Sequence, residues 1–213
     1  MITHRRTHID NFLIAQKKLM YGDILDIGGK KDNKRGSFRP PISQVASWKY
    51  VNIDKSTNPD FCCSADSIPL PNDSIDGILL CEVLEHLANP EEVISEAYRL
   101  LKTSGIGWIT MPFLNQVHPD PYDYQRWTDI KLKQVLEEVG FNKVEIYPMG
   151  AVIEVIHDLY YCALMRSPKK EGLRNKIGLQ VYKYSFNVIS KLDKYVQYTA
   201  QWMTTGWAVI VKK

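Results

Sequence analysis

Two short apolar runs in this chain end in groups suited to holding a nucleoside. Ile24-Leu25-Asp26-Ile27-Gly28-Gly29 closes on an acid and a glycine pair, and Val51-Asn52-Ile53-Asp54 closes on a second acid 28 positions after the first. On parallel strands, such groups meet at one sheet edge. Glycines let a ligand approach the backbone, and a carboxylate can accept both hydroxyls of a ribose. Those bonds are charge-assisted and about twice as strong as neutral ones. The bland alternatives are a strand-to-loop turn at the glycines and a solvated turn aspartate at Asp54.

The glycine pair argues against a dinucleotide. A pyrophosphate is usually held by a GxGxxG turn leading into a helix. Here Lys30, Lys31 and Asp32 follow Gly29, and the next glycine is Gly36. S-adenosylmethionine carries adenine and ribose but no phosphate, so it suits this turn better. Asp26 could face its ammonium group, and the backbone of Gly28 and Gly29 could pass its methionine part. A third acid, Asp66, stands in Ala65-Asp66-Ser67-Ile68-Pro69-Leu70-Pro71. It could accept from the adenine amine, or simply cap Ser67 or Ile68.

The order ILDIGG, VNID, ADSIPLPNDSIDGILLCEVLEHLANPEEVISEAYRLLKTSGIGWITMPFL resembles class I S-adenosylmethionine-dependent methyltransferases of the type 11 group over roughly residues 22–148. The resemblance implies ribose binding by Asp54, with Lys55 in the loop beside it. It implies adenine contact by Asp66 with Ser67, and a cofactor border at Cys81 and Glu82. Two departures stand out. Lysines occupy positions 30 and 31, where another glycine is usual, and the link to Asp54 exceeds the usual ~20 residues. The helix after the glycine turn is therefore expected to be short or replaced by a loop.

A second run, Met111 to Thr128, follows the next predicted strand at the edge where open α/β sheets bind ligands. It holds His118, Asp120, Asp123 and Arg126 among aromatic rings. Similar runs occur in methyltransferases that look associated with surface-glycan assembly. His118 could be a general base on an acceptor hydroxyl, and Asp123 or Arg126 could orient it or meet an anionic acceptor. The plainer reading is a structural loop with Asp123 paired to Arg126 and Thr128 as a helix cap. His118, Asp120 and Asp123 could be arranged around a metal, but no ligand spacing demands it, and no metal is expected. His86 is a second base candidate, more often structural at such a place. Lys30, Lys31, Lys34, Arg35 and Arg39 could meet a phosphate or acidic saccharide, although a solvated loop is the simpler reading.

The elements that must position these groups alternate. A helix is expected over 7–20 with Thr7 and Asp10 at capping-box spacing, and strands over 23–27, 49–53 and 75–81, with a short one at 60–64. Asn89-Pro90-Glu91-Glu92 starts a helix that runs to about Leu101. A strand over 106–111, a helix from Thr128 to Gly140 and a strand over 143–148 follow. The alternation implies a Rossmann-like, doubly wound, mostly parallel sheet. Residues 151–203 read as a helical insertion broken near 167–172, ahead of a last strand from Gly206 to Val211 that enters antiparallel at an edge. The insertion and its flank carry Tyr147, Tyr160, Tyr161, Tyr182, Tyr184, Tyr195 and Tyr198, with Lys169, Lys170, Arg174 and Lys176 alongside. It is open to reading as a lid, an acceptor wall, a dimer surface or a membrane-surface contact.

The 213 residues suffice for one domain spanning 1–213. A net charge of +3 gives no footprint for nucleic acid. Four cysteines without a CxxC pair favour a reduced, cytoplasmic setting. No stretch reaches the ~20 apolar residues of a spanning helix. The reading is therefore O-methylation of a sugar or glycan-linked acceptor by S-adenosylmethionine. Its alternatives are a lipid or quinone-like acceptor, or a non-catalytic nucleoside-binding module.

Overall fold

The computed structural model describes residues 2–32, 36–168 and 172–213. Six strands form one sheet: β1 (Asp23–Ile27), β2 (Ser47–Val51), β3 (Ile75–Cys81), β4 (Leu101–Pro112), β5 (Lys143–Pro148) and β6 (Gly206–Lys212), in the order β2-β1-β3-β4-β6-β5. The first four are mutually parallel, and β6 is antiparallel to both its neighbours. Among the described residues the α-helices are α1 (His4–Gln16), α2 (Pro90–Leu100), α3 (Asp129–Val139), α4 (Val152–Met165) and α5 (Leu173–Asp193). This is a Rossmann-like, mostly parallel sheet with two helices, α4 and α5, inserted ahead of the last strand.

Near-continuous apolar strands need cover on both faces. Leu25 and Ile27, Ile78 and Leu80, Ile109 and Met111, and Val209 and Val211 face one core, closed by Val93, Ile94, Ala97 and Leu100 of α2 and by Leu132, Val135 and Leu136 of α3. Ile24, Leu79, Trp108 and Ala208 face the other, smaller core, closed by Ile9 and Leu13 of α1 and by Phe38 from the loop after β1. That loop stands where a helix usually follows the glycine turn. Gly77 leaves room for the Trp108 ring, which a Cβ there would approach to 2.8 Å.

Several expected boundaries move. The first helix begins at His4, capped by Thr3, whose hydroxyl accepts from the Arg6 amide at 3.1 Å. Thr7 lies inside this helix, and Asp10 instead accepts the Ser37 amide at 2.6 Å. Strand β2 ends at Val51, because the Asn52 side chain turns to the glycine loop and Ile53 is exposed. The expected strand over 60–64 is a single bridge from Phe61 to Val51. Pairing stops there because the Asp60 carboxylate takes the Tyr50 amide at 2.8 Å. Asn89 does not cap α2; its amide lies 3.4 Å from the Glu92 carboxylate while Pro90 opens the helix. Thr128 and Gly140 bound α3 as expected.

The last strand is antiparallel but not at the edge. It fills the slot between β4 and β5, leaving β5, whose Lys143, Tyr147 and Pro148 are exposed, as the border. Because β5 ends and β6 begins at the carboxyl edge of the parallel strands, α4 and α5 spring from the same edge as the glycine turn. Asp193, at the end of α5, accepts the amides of Ala151, Ile153 and Glu154, which satisfies the start of α4. Asp158 of α4 accepts the amides of His4 and Arg5, each at 2.9 Å, and so docks α1 by its N-terminus.

Candidate functional site

Three loops meet where β1, β2 and β3 end. Gly28 has φ of +80°, and a Cβ there would stand 2.5 Å from Val83 Cγ2, just past β3. A Cβ on Gly29 would fall 2.3 Å from the Asp26 carboxyl carbon. The pair is thus a cradle that only glycine leaves open. The Asn52 side-chain amide donates to the carbonyls of both Gly28 and Gly29 at 3.2 Å, and the Gly28 amide donates to Val51 O at 2.8 Å. Asn52 also accepts the Asp54 amide at 2.9 Å, so it ties the glycine turn to the acid after β2.

Asp54 is exposed at that edge and caps a short 3-10 turn, Lys55–Thr57. The Ser56 hydroxyl and amide, at 2.8 and 2.9 Å, hold its carboxyl below the usual range. Asp66 and Ser67 are exposed in the next loop. Asp66 does not cap Ile68, whose amide goes to Glu96 of α2 at 2.7 Å. Arg99 holds the carbonyls of Ile68 and Leu70 at 3.2 and 2.9 Å, so the Glu96–Arg99 pair fixes this loop from below.

Cys81 and Glu82 close β3. Burial, with the charge of Asp26 added, pushes the Cys81 thiol up, which leaves it an inert neutral group. Glu82 has φ of +57°. Its burial would raise the carboxyl, but the Arg5 guanidinium grips it through two nitrogens and Thr110 donates to it at 3.0 Å, so it is held low. Arg5 arrives from α1, is itself buried, and donates to Met149 Sδ at 3.0 Å. No local pattern in the chain marks Arg5 or Asn52 as members of this edge.

The loop after β4 is sewn to the turn after β3. The Tyr124 amide donates to Glu85 O at 2.8 Å, and the Gln125 side chain donates to the carbonyls of Leu84 and Leu87 at 3.2 and 2.8 Å. Asp123 accepts the His118 amide at 2.7 Å and pairs with Arg126, chiefly through which its carboxyl falls to about 2. Thr128 caps α3, and Trp127 is buried while Tyr122 and Tyr124 are exposed. The structural-loop reading of Asp123, Arg126 and Thr128 therefore holds alongside a placement at the sheet's carboxyl edge. His118 Nδ1 lies 3.0 Å from Gln116 O, and its Nε2 lies 3.5 Å from Glu85 Oε1. Contact with Glu85 raises the imidazole above its ordinary value. Burial raises the Glu85 carboxyl. His86 joins the cluster with its ring 5.2 Å from that of His118. The groups that gather around His118 are thus Glu85 and His86, and not Asp120.

Of the basic loop, Lys31 pairs with Asp60 at 2.8 Å and Arg39 donates to the carbonyls of Gly36 and Phe38, while Lys34 and Arg35 lie outside the described residues. Lys169 and Lys170 lie outside them too. A shallow concavity of about 610 Å³ runs along exposed residues of α5, lined by Ile177, Val181 and Tyr184, and includes none of the residues described above.

Comparisons with known proteins agree with this scaffold. Residues 42–109 match the family model Methyltransf_11, described as a methyltransferase domain. A curated protein of Mycolicibacterium smegmatis, named a probable S-adenosylmethionine-dependent methyltransferase, is 28% identical over 81 residues, which cover 35% of this chain and 32% of that protein. The chain thus matches about a third of the length of that relative. A SAM-dependent methyltransferase from Archaeoglobus fulgidus superposes with a TM-score of 0.56 at 21% identity over 98% of this chain and 94% of its own. Phosphoethanolamine N-methyltransferase 2 of Haemonchus contortus, solved with phosphomonomethylethanolamine and S-adenosylhomocysteine, gives 0.59 at 17% identity over 96% of this chain and 52% of its own. The chain shares the fold of these solved methyltransferases.

Proposed function

We propose that this chain is an S-adenosylmethionine-dependent methyltransferase that methylates an oxygen of a sugar or glycan-linked acceptor. The observation that carries the first part is the convergence of Gly28, Gly29, Asn52 and Val83 at the carboxyl edge, within a chain whose residues 42–109 match a methyltransferase domain. The residues fit the cofactor: a glycine cradle, an exposed acid beyond β2 at Asp54 with Lys55 beside it, and an exposed acid at Asp66 followed by Ser67. In this reading Asp54 accepts the ribose hydroxyls, and Asp66 with Ser67 meets adenine. Asp26 faces the ammonium group, and Cys81 and Glu82 border the methionine end. When bound, the cofactor supplies an electrophilic methyl group on sulfur for direct displacement.

The chain's own contribution is alignment and proton removal. Alignment alone accounts for roughly 7–11 kcal/mol in well-oriented reactions. An alcohol acceptor also needs its proton taken, an effect of about 10²–10⁴-fold. His118 fits that task, because the Gln116 carbonyl favours a proton on Nδ1 and leaves Nε2 as the acceptor, while Asp123 holds its backbone. The loops after β3 and β4 line the acceptor side, and Tyr122 and Tyr124 present exposed rings suited to stacking on a sugar.

A second acceptor class has one observation in its favour. Tyr184, Val188, Leu192, Tyr195 and Tyr198 are exposed along α5 and the turn that follows it, an amphipathic surface that could meet lipid or a second copy of the chain. No helix among the described residues is long and apolar enough to cross a membrane. Incubation with a methyl-labelled donor and separate glycan and lipid extracts tests the choice. Label in the glycan pool is expected, and label confined to the lipid pool refutes the sugar acceptor.

A further inference from the structure

The turn after β3 and the loop after β4 bring His118 together with two groups, Glu85 and His86, that have no role in the methyl transfer proposed above. The Glu85 carboxylate is fully buried, and neither of its oxygens has a hydrogen-bond partner among the described residues. A buried carboxylate normally has donors or a cation. What faces it are two imidazole nitrogens: Glu85 Oε1 lies 3.6 Å from His86 Nε2 and 3.5 Å from His118 Nε2. Ligand atoms from the three residues all lie within 4.8 Å of one another.

We infer that Glu85, His86 and His118 form a three-ligand site for a divalent transition-metal ion. Two features support this beyond proximity. First, the spacing suits a shared ion. Zinc at ~2.0–2.1 Å from tetrahedral ligands sets them about 3.3 Å apart, and the two distances from Glu85 exceed that by a few tenths of an ångström. Both imidazoles are partly exposed, 15% for His86 and 29% for His118, so ring rotation can bring the histidines together.

Second, the outer partners are those of metal-bound histidines. His86 Nδ1 donates to the Tyr122 carbonyl at 2.6 Å, and His118 Nδ1 meets the Gln116 carbonyl at 3.0 Å. A carbonyl can only accept, so each contact favours a proton on Nδ1, the Arg126 guanidinium being the longer contact of His118 Nδ1 at 3.4 Å, and in each neutral ring Nε2 is then the ligand atom. Those are the nitrogens that point at Glu85. Ligating histidines are held in this way by backbone carbonyls. Two imidazoles and one carboxylate suit zinc, iron or cobalt better than magnesium or calcium, which prefer oxygen.

The site has room for further ligands on its partly exposed side. An ion there would lower the pKa of an acceptor hydroxyl enough for its proton to pass to solvent water, with His118 serving as a ligand and not as the base. The inference of a metal site stands without the methyltransferase reading, since its test needs no methyl donor.

The test uses untagged full-length protein, stripped with chelator and titrated with zinc by calorimetry, with cobalt spectra as a second probe. One equivalent should bind to the wild-type chain. Glu85→Gln and His86→Gln should each weaken it by more than about 100-fold, beyond the 10–100-fold typical of losing an outer partner, with circular dichroism unchanged. The cobalt form should lack thiolate charge-transfer bands, which excludes Cys62 and Cys63 as ligands. Failure of the wild-type protein to bind either ion, or binding that survives both substitutions, overturns the site and leaves His118 as a simple base. Should Glu85→Gln fail to fold, His86→Gln, on a partly exposed side chain, decides alone.

Discussion

The carboxyl edge of this sheet has two halves built on opposite electrostatic plans. On the β1 and β2 side, the acids that matter, Asp54 and Asp66, are exposed, and position comes from backbone: a glycine pair, an asparagine clip and a 3-10 turn. On the β3 and β4 side, the acids Glu82, Glu85 and Asp123 are withdrawn from solvent, and position comes from polar side chains, with the guanidinium of Arg5 on Glu82, that of Arg126 on Asp123 and two imidazoles beside Glu85. The first half can exchange water for a ligand's hydroxyls at low cost. The second keeps charge ready in a poorly solvated place, where it acts strongly and where an unmatched group is expensive. Under the proposed function, one half recognises a fixed cofactor and the other does the chemistry, and such halves would be expected to differ in this way.

The comparison breaks first at the buried pair. Arg5→Met leaves Glu82 without its cation, and a loss of about 3 kcal/mol is expected, the low end for a buried pair because the Glu82 side chain keeps 16% exposure. The urea midpoint measures it, and a further Glu82→Gln change should recover most of the loss. Recovery would show that the cost lies in the stranded charge and not in lost packing.

Next comes the glycine cradle. Gly28→Ala places a Cβ at φ of +80° and 2.5 Å from Val83 Cγ2, so about 2 kcal/mol of destabilisation is expected, with weakened binding of S-adenosylhomocysteine. A second change, Val83→Ala, should restore part of the stability by removing the clash but not the backbone strain. If Gly28→Ala is neutral in both assays, the turn is not the backbone cradle described above.

The smallest expected effect concerns acid, and it reaches the buried half through α1. Burial, reinforced by the neighbouring His4, holds the His157 imidazole below its ordinary value. The folded protein therefore prefers neutral His157, and its contribution to stability is lost as pH falls below about 6.5 toward the lower folded value. Glu154 behaves as a depressed acid: burial opposes ionisation, but hydrogen bonds from His4 and His8 prevail. Its contribution is full above about 4.5 and disappears only as pH falls well below that. Between pH 7 and 5, then, His157 lowers the melting temperature while the raised His118 acts in the opposite sense, so His157→Gln should make stability fall less, or rise more, on acidification. A slope unchanged in the variant removes His157 from the explanation.

How much of this was legible in the sequence follows the same division. The exposed half is written locally: ILDIGG and VNID announce strands that end at the sheet's carboxyl edge, and both do so within two residues of the predicted limits. The helices bounded by Pro90 and by Thr128 with Gly140 were likewise legible, because capping and chain reversal are short-range events. The buried half is made of partners far apart in the chain. Arg5 meets Glu82 across 77 positions, and His4 and Arg5 meet Asp158 across more than 150. No periodicity encodes such pairs. His118 stood out by its residue type, but its partner Glu85 did not, because EVLEHL reads equally well as the start of a helix. The last strand was placed in the right direction and the wrong slot, since which gap it fills depends on where β5 leaves room.

Binding of the demethylated cofactor tests the central claim most directly. Titration calorimetry of the folded protein with S-adenosylhomocysteine should show one site, and Asp54→Ala, on an exposed side chain, should weaken it by about 10–100-fold, the loss of two charge-assisted hydrogen bonds offset by their desolvation, without shifting the urea midpoint appreciably. Absence of binding to the wild-type chain, or equal binding by Asp54→Ala, contradicts the account.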